Sequence, residues 1–81
     1  MKLGYTRNAL SALQQLPTPV RKAFYNQAAF LLANLHHPSL RAKKYSETED
    51  MWQARVNRGW RFYFRIVGDV YIVTEIIPHP K

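Results

Sequence analysis

The stretch WQARVNRGWRFYFR, residues 52–65, decides the fold of this chain. Apolar side chains alternate with polar or basic ones on both sides of an Asn-Arg-Gly turn, which is typical of a β-hairpin with two unlike faces. One phase of the alternation is apolar: Trp52, Ala54, Val56, Trp60, Phe62 and Phe64. The other phase is polar and mostly basic: Gln53, Arg55, Arg61, Tyr63 and Arg65. We predict that the apolar phase, tryptophans included, lies in the core, and that the basic phase meets a phosphate backbone or an acidic partner.

The length of the hairpin turn determines which face the arginines take, because a one-residue slip would move them into the core. A two-residue turn, Arg58-Gly59, would pair Val56 with Arg61 and mix the two phases. A three-residue turn, Asn57-Arg58-Gly59, keeps the phases separate and puts its glycine where such loops favour the left-handed region. It sets three cross-strand pairs: Val56 with Trp60, Arg55 with Arg61, and Ala54 with Phe62. We therefore predict the three-residue turn.

Composition narrows the class of protein. The 81 residues carry 12 Lys and Arg against 5 Asp and Glu, a formal net charge of +7. This length predicts one domain over residues 1–81, and this charge favours binding to nucleic acid or to an acidic protein. The lack of cysteine excludes disulfides and thiolate metal sites. There is no signal-peptide pattern and no apolar run long enough to span a bilayer, so we expect a cytoplasmic protein that does not bind membranes.

Apolar periodicity before the hairpin predicts two helices joined by a short turn, an αα-hairpin. Thr6 is the expected N-cap of the first helix, which must end by Leu16 because proline follows. The second helix is expected to begin with Thr18 as N-cap and Pro19 at the first helical position. Its end is predicted near residues 35–37, where two histidines would complement the helix dipole. The stripe that faces the core contains Val20, Phe24, Gln27, Leu31 and Leu35.

Strands are predicted on both sides of these helices. Residues 2–6 form either a short edge strand or an extended lead-in, and residues 42–45 begin a strand. A polar turn then leads to three strands at about residues 51–56, 60–67 and 70–77, the last two joined by a tight glycine turn. This order predicts an α+β fold in which two N-terminal helices pack on an antiparallel sheet of about four strands.

Arg55 and Arg61 form the centre of the candidate site, because the predicted register sets them side by side on one face. Like charges that face each other across strands destabilise a sheet by up to about 1 kcal/mol, and a bound anion offsets that cost. Ordinary solvated arginines on an open sheet face are the alternative interpretation. Tyr63 on the same face would stack on a base or donate to a phosphate, unless it is simply a half-buried sheet tyrosine.

His79 directly follows the last predicted strand and is the candidate for proton transfer. A histidine at this edge of the sheet suits general acid or base catalysis near neutral pH, and a passive position in the tail is the alternative. The spacing of the three histidines matches no metal-site pattern, and the acidic residues do not pair with them. We therefore predict no metal ion and no cofactor.

Four segments taken in order carry a family resemblance: LQQLPTPVRKAF, HPSLRAKKY, WQARVNRGWRFYFRI and IIPHP. Together they resemble the RelE/ParE superfamily of toxins from bacterial toxin–antitoxin systems. The resemblance implies a RelE/ParE-like fold and a small toxin silenced by a cognate antitoxin. RelE-like members are metal-independent ribonucleases that cut mRNA in the ribosomal A site.

The resemblance also implies roles for residues of this sequence. Arg55 and Arg61 match the strand residues that hold the scissile phosphate, and His79 lies close to where several relatives keep an acid or base. The remaining basic and aromatic candidates would contact RNA: Arg41, Lys43, Lys44, Arg58, Tyr63 and Arg65.

Departures from the family pattern keep other targets open. Gln53 stands where some RelE-like relatives have a catalytic lysine, and the chain ends at Lys81 without the tyrosine-bearing tail of some active members. One alternative is a ParE-like toxin that acts on DNA gyrase and does not cut RNA. Another is a degenerate toxin that only binds its antitoxin. The expected partners are thus an antitoxin, in a hetero-oligomer, together with mRNA on the ribosome or gyrase.

Overall fold

The computed structural model of the chain describes residues 1–79, so Pro80 of the closing IIPHP segment lies outside the described residues together with Lys81. Seven regular elements and one short 3-10 turn follow one another along the chain. They are β1 (Lys2–Tyr5), α1 (Arg7–Gln15), α2 (Thr18–Ala33), the 3-10 turn (Pro38–Leu40), β2 (Lys43–Ser46), β3 (Met51–Asn57), β4 (Trp60–Val67) and β5 (Val70–Pro78).

The sheet contains five strands in the order β1-β5-β4-β3-β2, and β1 pairs with β5 in parallel. The predicted α+β class is confirmed, but the prediction of a four-stranded antiparallel sheet behind two N-terminal helices is wrong. The sheet is mixed, and both helices lie between β1 and β2. Two parallel strands need a long connection between them, and here it comprises all the elements from α1 to β4. The residues next to β1 in the sequence therefore give no sign of its partner strand.

Helix α1 begins and ends as the sequence predicts. The hydroxyl oxygen of Thr6 accepts a hydrogen bond of 3.1 Å from the Ala9 backbone N–H, the bond expected of an N-cap. After Gln15 the chain becomes extended ahead of the proline. The guanidinium of Arg21 then donates to three carbonyl oxygens at the end of α1, those of Leu13, Gln14 and Leu16. These bonds satisfy carbonyl groups that a helix end leaves unpaired.

Both predicted ends of α2 are displaced. Thr18 is the first helical residue and caps nothing, because the N-cap position is Pro17. The helix stops at Ala33, since Asn34 is extended and its side-chain oxygen accepts from the His36 backbone N–H at 2.9 Å. This local bond competes with the helix, so the two histidines do not complete its last turn. In residues 1–79 neither helix is long and apolar enough to span a bilayer.

The core lies between the helices and one face of the sheet. Phe24 of α2 and Phe62 of β4 meet edge to face, with ring centroids 5.2 Å apart. The prediction for the apolar phase is confirmed: Ala54, Val56, Phe62 and Phe64 are buried, and Trp52 and Trp60 pack partly buried against them. The opposite face of the sheet, which carries the basic phase, is therefore left uncovered by the helices.

Candidate functional site

The β3–β4 hairpin brings Arg55 and Arg61 directly opposite each other, as predicted, and pairs Ala54 with Phe62. The predicted pairing of Val56 with Trp60 is wrong, because Trp60 pairs with Asn57 and Val56 is an extra, bulged residue. A β-bulge adds one residue to one strand. The hairpin therefore closes through the two-residue turn Arg58-Gly59, not the predicted three-residue turn, and the arginines still lie on one face of the sheet. Gly59 does not take the left-handed conformation, and the glycine that does is Gly68.

Gln27 of α2 holds the bulge from the core side. It is 5% exposed, and its side-chain nitrogen donates to the carbonyl oxygens of Arg55, at 2.7 Å, and of Ser39, at 3.0 Å. The Ser39 hydroxyl donates back to the Gln27 side-chain oxygen at 2.9 Å. The sequence placed Gln27 in the apolar stripe of the helix and missed this role. The sequence does contain one indication of this role. Gln27 is an amide among apolar residues of the stripe, and a buried amide needs hydrogen-bond partners.

Arg41 reaches the same face through an unusual backbone conformation. It ends the 3-10 turn with φ of 48°, in the left-handed region. A non-glycine residue costs about 1–2 kcal/mol there, and such conformations persist where the surroundings impose them. Two residues later, Lys43 of β2 pairs with Gln53 of β3 and points to the same face of the sheet. The loop before β2 thus adds two cations to the arginine pair.

These side chains enclose a pocket of about 310 Å³, which we call the arginine pocket. It is lined by Arg41, Lys43, Gln53, Ala54, Arg55, Arg61 and His79. The backbone N–H of His79 donates to the carbonyl oxygen of Gly59 at 2.8 Å, which places the histidine beside the hairpin turn. A neighbouring pocket of about 480 Å³ shares Arg41 and Arg55 with it and includes Arg58.

The guanidinium of Arg61 is held in position by the hairpin turn. One of its terminal nitrogens donates to the carbonyl oxygens of Asn57, at 2.7 Å, and Trp60, at 2.9 Å. Burial lowers the pKa of Arg61, and the positive charges of Arg55 and Arg41 lower it further. An arginine stays charged at neutral pH even so, and the repulsion among the three cations is relieved when an anion binds between them.

The acidic residues lie away from the arginine pocket. Glu47 and Asp50 form salt bridges of 3.5 and 3.0 Å with Lys44, whose pKa rises chiefly through its hydrogen bond to Asp50. Glu49 and Glu75 line a different pocket, and Asp69 lies in the turn between β4 and β5. The lining of the arginine pocket therefore contains four cations and no carboxylate. Within residues 1–79, no group of three or more histidine, cysteine or acidic side chains is placed to hold a metal ion.

The arrangement of helices and strands matches that of solved toxin structures. The YoeB/ParE toxin from Agrobacterium tumefaciens superposes with a TM-score of 0.82 at 15% identity, covering 99% of this chain and 100% of that one. The isolated E. coli RelE toxin gives a TM-score of 0.78 at 17% identity, covering 98% of this chain and 84% of that one. The chain has the RelE/ParE toxin fold. This confirms, at the level of the fold, the family resemblance carried by the sequence.

The same RelE/ParE fold occurs in complexes. The archaeal RelE–RelB complex from Pyrococcus horikoshii OT3 matches with a TM-score of 0.78 at 18% identity, covering 95% of this chain and 92% of that one. No protein-family model matches the chain, and no curated protein sequence does. The likeness thus lies in the three-dimensional arrangement of elements.

Within the RelE/ParE fold of this chain, the predicted site residues fall into three groups. Five of them line the arginine pocket: Arg41, Lys43, Arg55, Arg61 and His79. Arg58 lines the adjoining pocket, and the Tyr63 hydroxyl accepts a hydrogen bond of 2.8 Å from Gln53 at the pocket wall. Lys44 pairs with Trp52 of the apolar phase, so it does not share the face of Lys43. Arg65 is exposed further along β4 and does not line the arginine pocket. The structure therefore does not bring these last two to the arginine pocket.

Proposed function

We propose that this chain is the toxin of a toxin–antitoxin pair and that it cleaves mRNA on the ribosome without a metal ion. One observation carries the proposal: the cross-strand pair Arg55 and Arg61 lies in one pocket with Arg41, Lys43 and His79, and no carboxylate lines that pocket. The fold shared with RelE and YoeB toxins supports the same assignment. Ribosomes and mRNA are cytoplasmic, so this function places the chain in the cytoplasm.

A phosphate group suits the arginine pocket. Planar guanidinium groups form paired hydrogen bonds with phosphate oxygens, and charge-assisted bonds of this kind are about twice as strong as neutral ones. Arg61 is already held by two carbonyl oxygens, so it needs little rearrangement to meet an anion. Donors that are preorganised in this way stabilise charge that develops during a reaction.

The proposed reaction is attack of a ribose 2′-oxygen on the adjacent phosphorus. The O2′–P bond forms as the P–O5′ bond breaks, which leaves a 2′,3′-cyclic phosphate and a 5′-hydroxyl. The 2′-hydroxyl loses a proton and O5′ gains one, and His79 is the residue of the pocket lining best suited to one of these transfers. Arg55 and Arg61 stabilise the negative charge that grows on the phosphate oxygens.

An antitoxin is the second proposed partner. Solved structures with this fold include the intact E. coli RelBE toxin–antitoxin complex and the heterotetrameric YoeB–YefM complex from Staphylococcus aureus. The net charge of +7 and the uncovered basic face of this chain fit an acidic, partly disordered antitoxin segment. Binding to the basic face should weaken as salt concentration rises, because exposed charge pairs are screened.

Expression in bacteria, followed by mapping of mRNA 5′ ends, tests the nuclease. We expect new 5′ ends within translated messages. Arg61→Ala and Arg55→Ala should each lower the cleavage rate about 10²–10³-fold, since each removes a preorganised donor, and His79→Ala should lower it about 10²–10⁴-fold. Arg65→Ala is the matched control, because it removes one cation of the same strand face outside the pocket.

Other outcomes would overturn the nuclease. Intact message together with lost DNA supercoiling would assign the chain to gyrase. A chain that binds an acidic partner encoded beside it but harms neither message nor supercoiling would be a degenerate toxin. Equal toxicity of wild type and Arg61→Ala would remove the arginine pocket from the mechanism.

A further inference from the structure

A separate pocket adjoins the arginine pocket on the uncovered face of the sheet. It measures about 280 Å³ and is lined by Tyr45, Glu49, Met51, Tyr63, Glu75 and Ile77, and we call it the tyrosine pocket. Gln53 lines the arginine pocket and donates a hydrogen bond of 2.8 Å to the Tyr63 hydroxyl, while Tyr63 lines the tyrosine pocket. This hydrogen bond therefore links the linings of the two pockets.

Two tyrosine rings give this pocket flat walls. The centroids of Tyr45 and Tyr63 are 5.3 Å apart, and the rings meet edge to face at 83°. An edge-to-face contact uses one face of one ring and leaves other ring faces free for a ligand. Tyr45 is 63% exposed, and Met51 and Ile77 add apolar surface beside the rings. A planar aromatic ligand, such as a nucleobase, stacks well in such surroundings.

The rim of the tyrosine pocket is acidic. Glu49 and Glu75 are exposed, and neither forms a salt bridge with another residue in the range 1–79. Two carboxylates repel a phosphate, so the charged backbone of a nucleic acid is directed to the arginine pocket instead. Carboxylate oxygens accept hydrogen bonds from amino groups, as acidic side chains do from cytosine N4. Adenine, cytosine and guanine carry an exocyclic amino group, whereas uracil does not.

We propose that the tyrosine pocket binds an amino-bearing nucleobase next to the phosphate held by Arg55 and Arg61. The proposal rests on the RNA-cleaving function proposed above and names a determinant of its sequence preference. Arg61 and Tyr63 are two residues apart on β4, about 7 Å along the strand. One nucleotide bridges a distance of this size between its phosphate and its base. The two pockets thus form a phosphate subsite and a base subsite for one RNA strand.

Equilibrium binding of the full-length chain to short 2′-O-methyl RNAs tests the base subsite, since these strands cannot be cleaved through the 2′-oxygen. Five probes of one length are compared: oligouridine, three strands in which a single uridine is replaced by adenosine, cytidine or guanosine, and an abasic strand. We expect one of the amino-bearing strands to bind about tenfold more tightly than oligouridine. The abasic strand should bind through its phosphates alone, and more weakly than oligouridine or any of the amino-bearing strands.

Substitutions then connect the preference to the pocket. Replacing both Glu49 and Glu75 by alanine should bring the affinity ratio between amino-bearing RNA and oligouridine close to one. Removing negative charge also strengthens binding to every RNA, so Asp69→Asn, in a distant turn, controls for charge and should leave the ratio unchanged. Tyr45→Ala, at an exposed position of the edge strand, should lower affinity for base-bearing strands about tenfold without affecting the abasic strand. Tyr63→Phe keeps the ring and should retain the stacking contribution.

Each contrary result has a distinct meaning. If wild type binds abasic and base-bearing strands equally, the base subsite is wrong while the RNA function stands. If wild type binds no RNA at all, both proposals are wrong. An unchanged ratio in the double glutamate variant removes these carboxylates from recognition. If Tyr45→Ala leaves RNA affinities unchanged and weakens antitoxin binding, the pocket is a protein-docking site and the base subsite is wrong.

Discussion

The side-chain nitrogen of Gln27 donates a hydrogen bond of 2.7 Å to the backbone carbonyl oxygen of Arg55. The bond joins helix α2 to the strand position where the β-bulge begins. The same amide holds the carbonyl of Ser39, two residues before Arg41. One buried side chain therefore fixes the backbone on both sides of the arginine pocket, and the hydrophobic core and the candidate site depend on each other through it.

Gln27→Leu should destabilise the fold, because it leaves the carbonyl oxygens of Arg55 and Ser39 without their buried partner. An unsatisfied buried group costs about 1–3 kcal/mol, so we expect a loss of at least that size in the free energy of unfolding measured with urea. Asn26→Leu, one position earlier on the exposed side of α2, is the matched control and should change little. Equal stabilities of the two variants would show that the network contributes nothing.

Thr6→Ala should lower stability by about 1 kcal/mol, the usual cost of losing an N-cap. The Thr6 hydroxyl also donates to the carbonyl oxygen of Thr74 at 3.3 Å, which ties the start of α1 to β5. Thr18→Ala is the comparison, since Thr18 makes no capping bond and its loss should stay within about 0.5 kcal/mol. Urea denaturation of both variants measures the difference. The capping assignment fails if Thr18→Ala proves the more costly change.

Gly68→Ala should destabilise the β4–β5 turn, because Gly68 has φ of +59°, a conformation that costs other L-residues about 1–2 kcal/mol. Gly59→Ala should be tolerated. Gly59 lies outside the left-handed region, and the nearest atom to an added Cβ would be the Asn57 side-chain oxygen at 3.9 Å. Thermal unfolding of the two variants gives the comparison. A larger loss at Gly59 would contradict the observed hairpin geometry.

Lys43→Ala and Lys44→Ala should differ in their effect on RNA binding, although the two lysines are adjacent. Lys43 lines the arginine pocket, whereas Lys44 forms salt bridges with Glu47 and Asp50. We expect Lys43→Ala to reduce the slope of log affinity against log salt by about 0.7, the value for one phosphate contact on a single strand. Lys44→Ala should leave the slope nearly unchanged. Titrations of single-stranded RNA at several salt concentrations measure the slope for each variant. Equal slopes for Lys43→Ala and Lys44→Ala would contradict the prediction that only Lys43 contacts the RNA.

Several parts of the fold were predictable because their signals are local. The N-cap at Thr6 depends on residues three apart, and the period-two alternation of β3 and β4 assigns each side chain to a face. The opposition of Arg55 and Arg61 follows from that alternation together with the requirement to keep arginines out of the core. The predicted route to this register was wrong, since a bulge at Val56 and a two-residue turn produce it.

Other features had no local signal. Residues near β1 do not reveal its partner, because β5 is 68 residues away in the pairing of Lys2 with Val70. The spacing of Gln27 fits the apolar stripe of α2, and its hydrogen-bond partners Ser39 and Arg55 lie 12 and 28 residues further along the chain. Lys44 looked equivalent to Lys43 in the sequence, and only the register of β2 against β3 separates them.

The two faces of the central hairpin follow from the amino-acid sequence alone, because alternation along a strand is a property of neighbouring residues. The pocket on the basic face, in contrast, depends on how distant segments of the chain pack together. Three features depend on contacts between distant segments. They are the bulge held by Gln27, the left-handed conformation of Arg41, and the hydrogen bond from the His79 backbone N–H to the carbonyl oxygen of Gly59. A pocket is formed where such segments meet, and their relative positions are set by packing of the whole core.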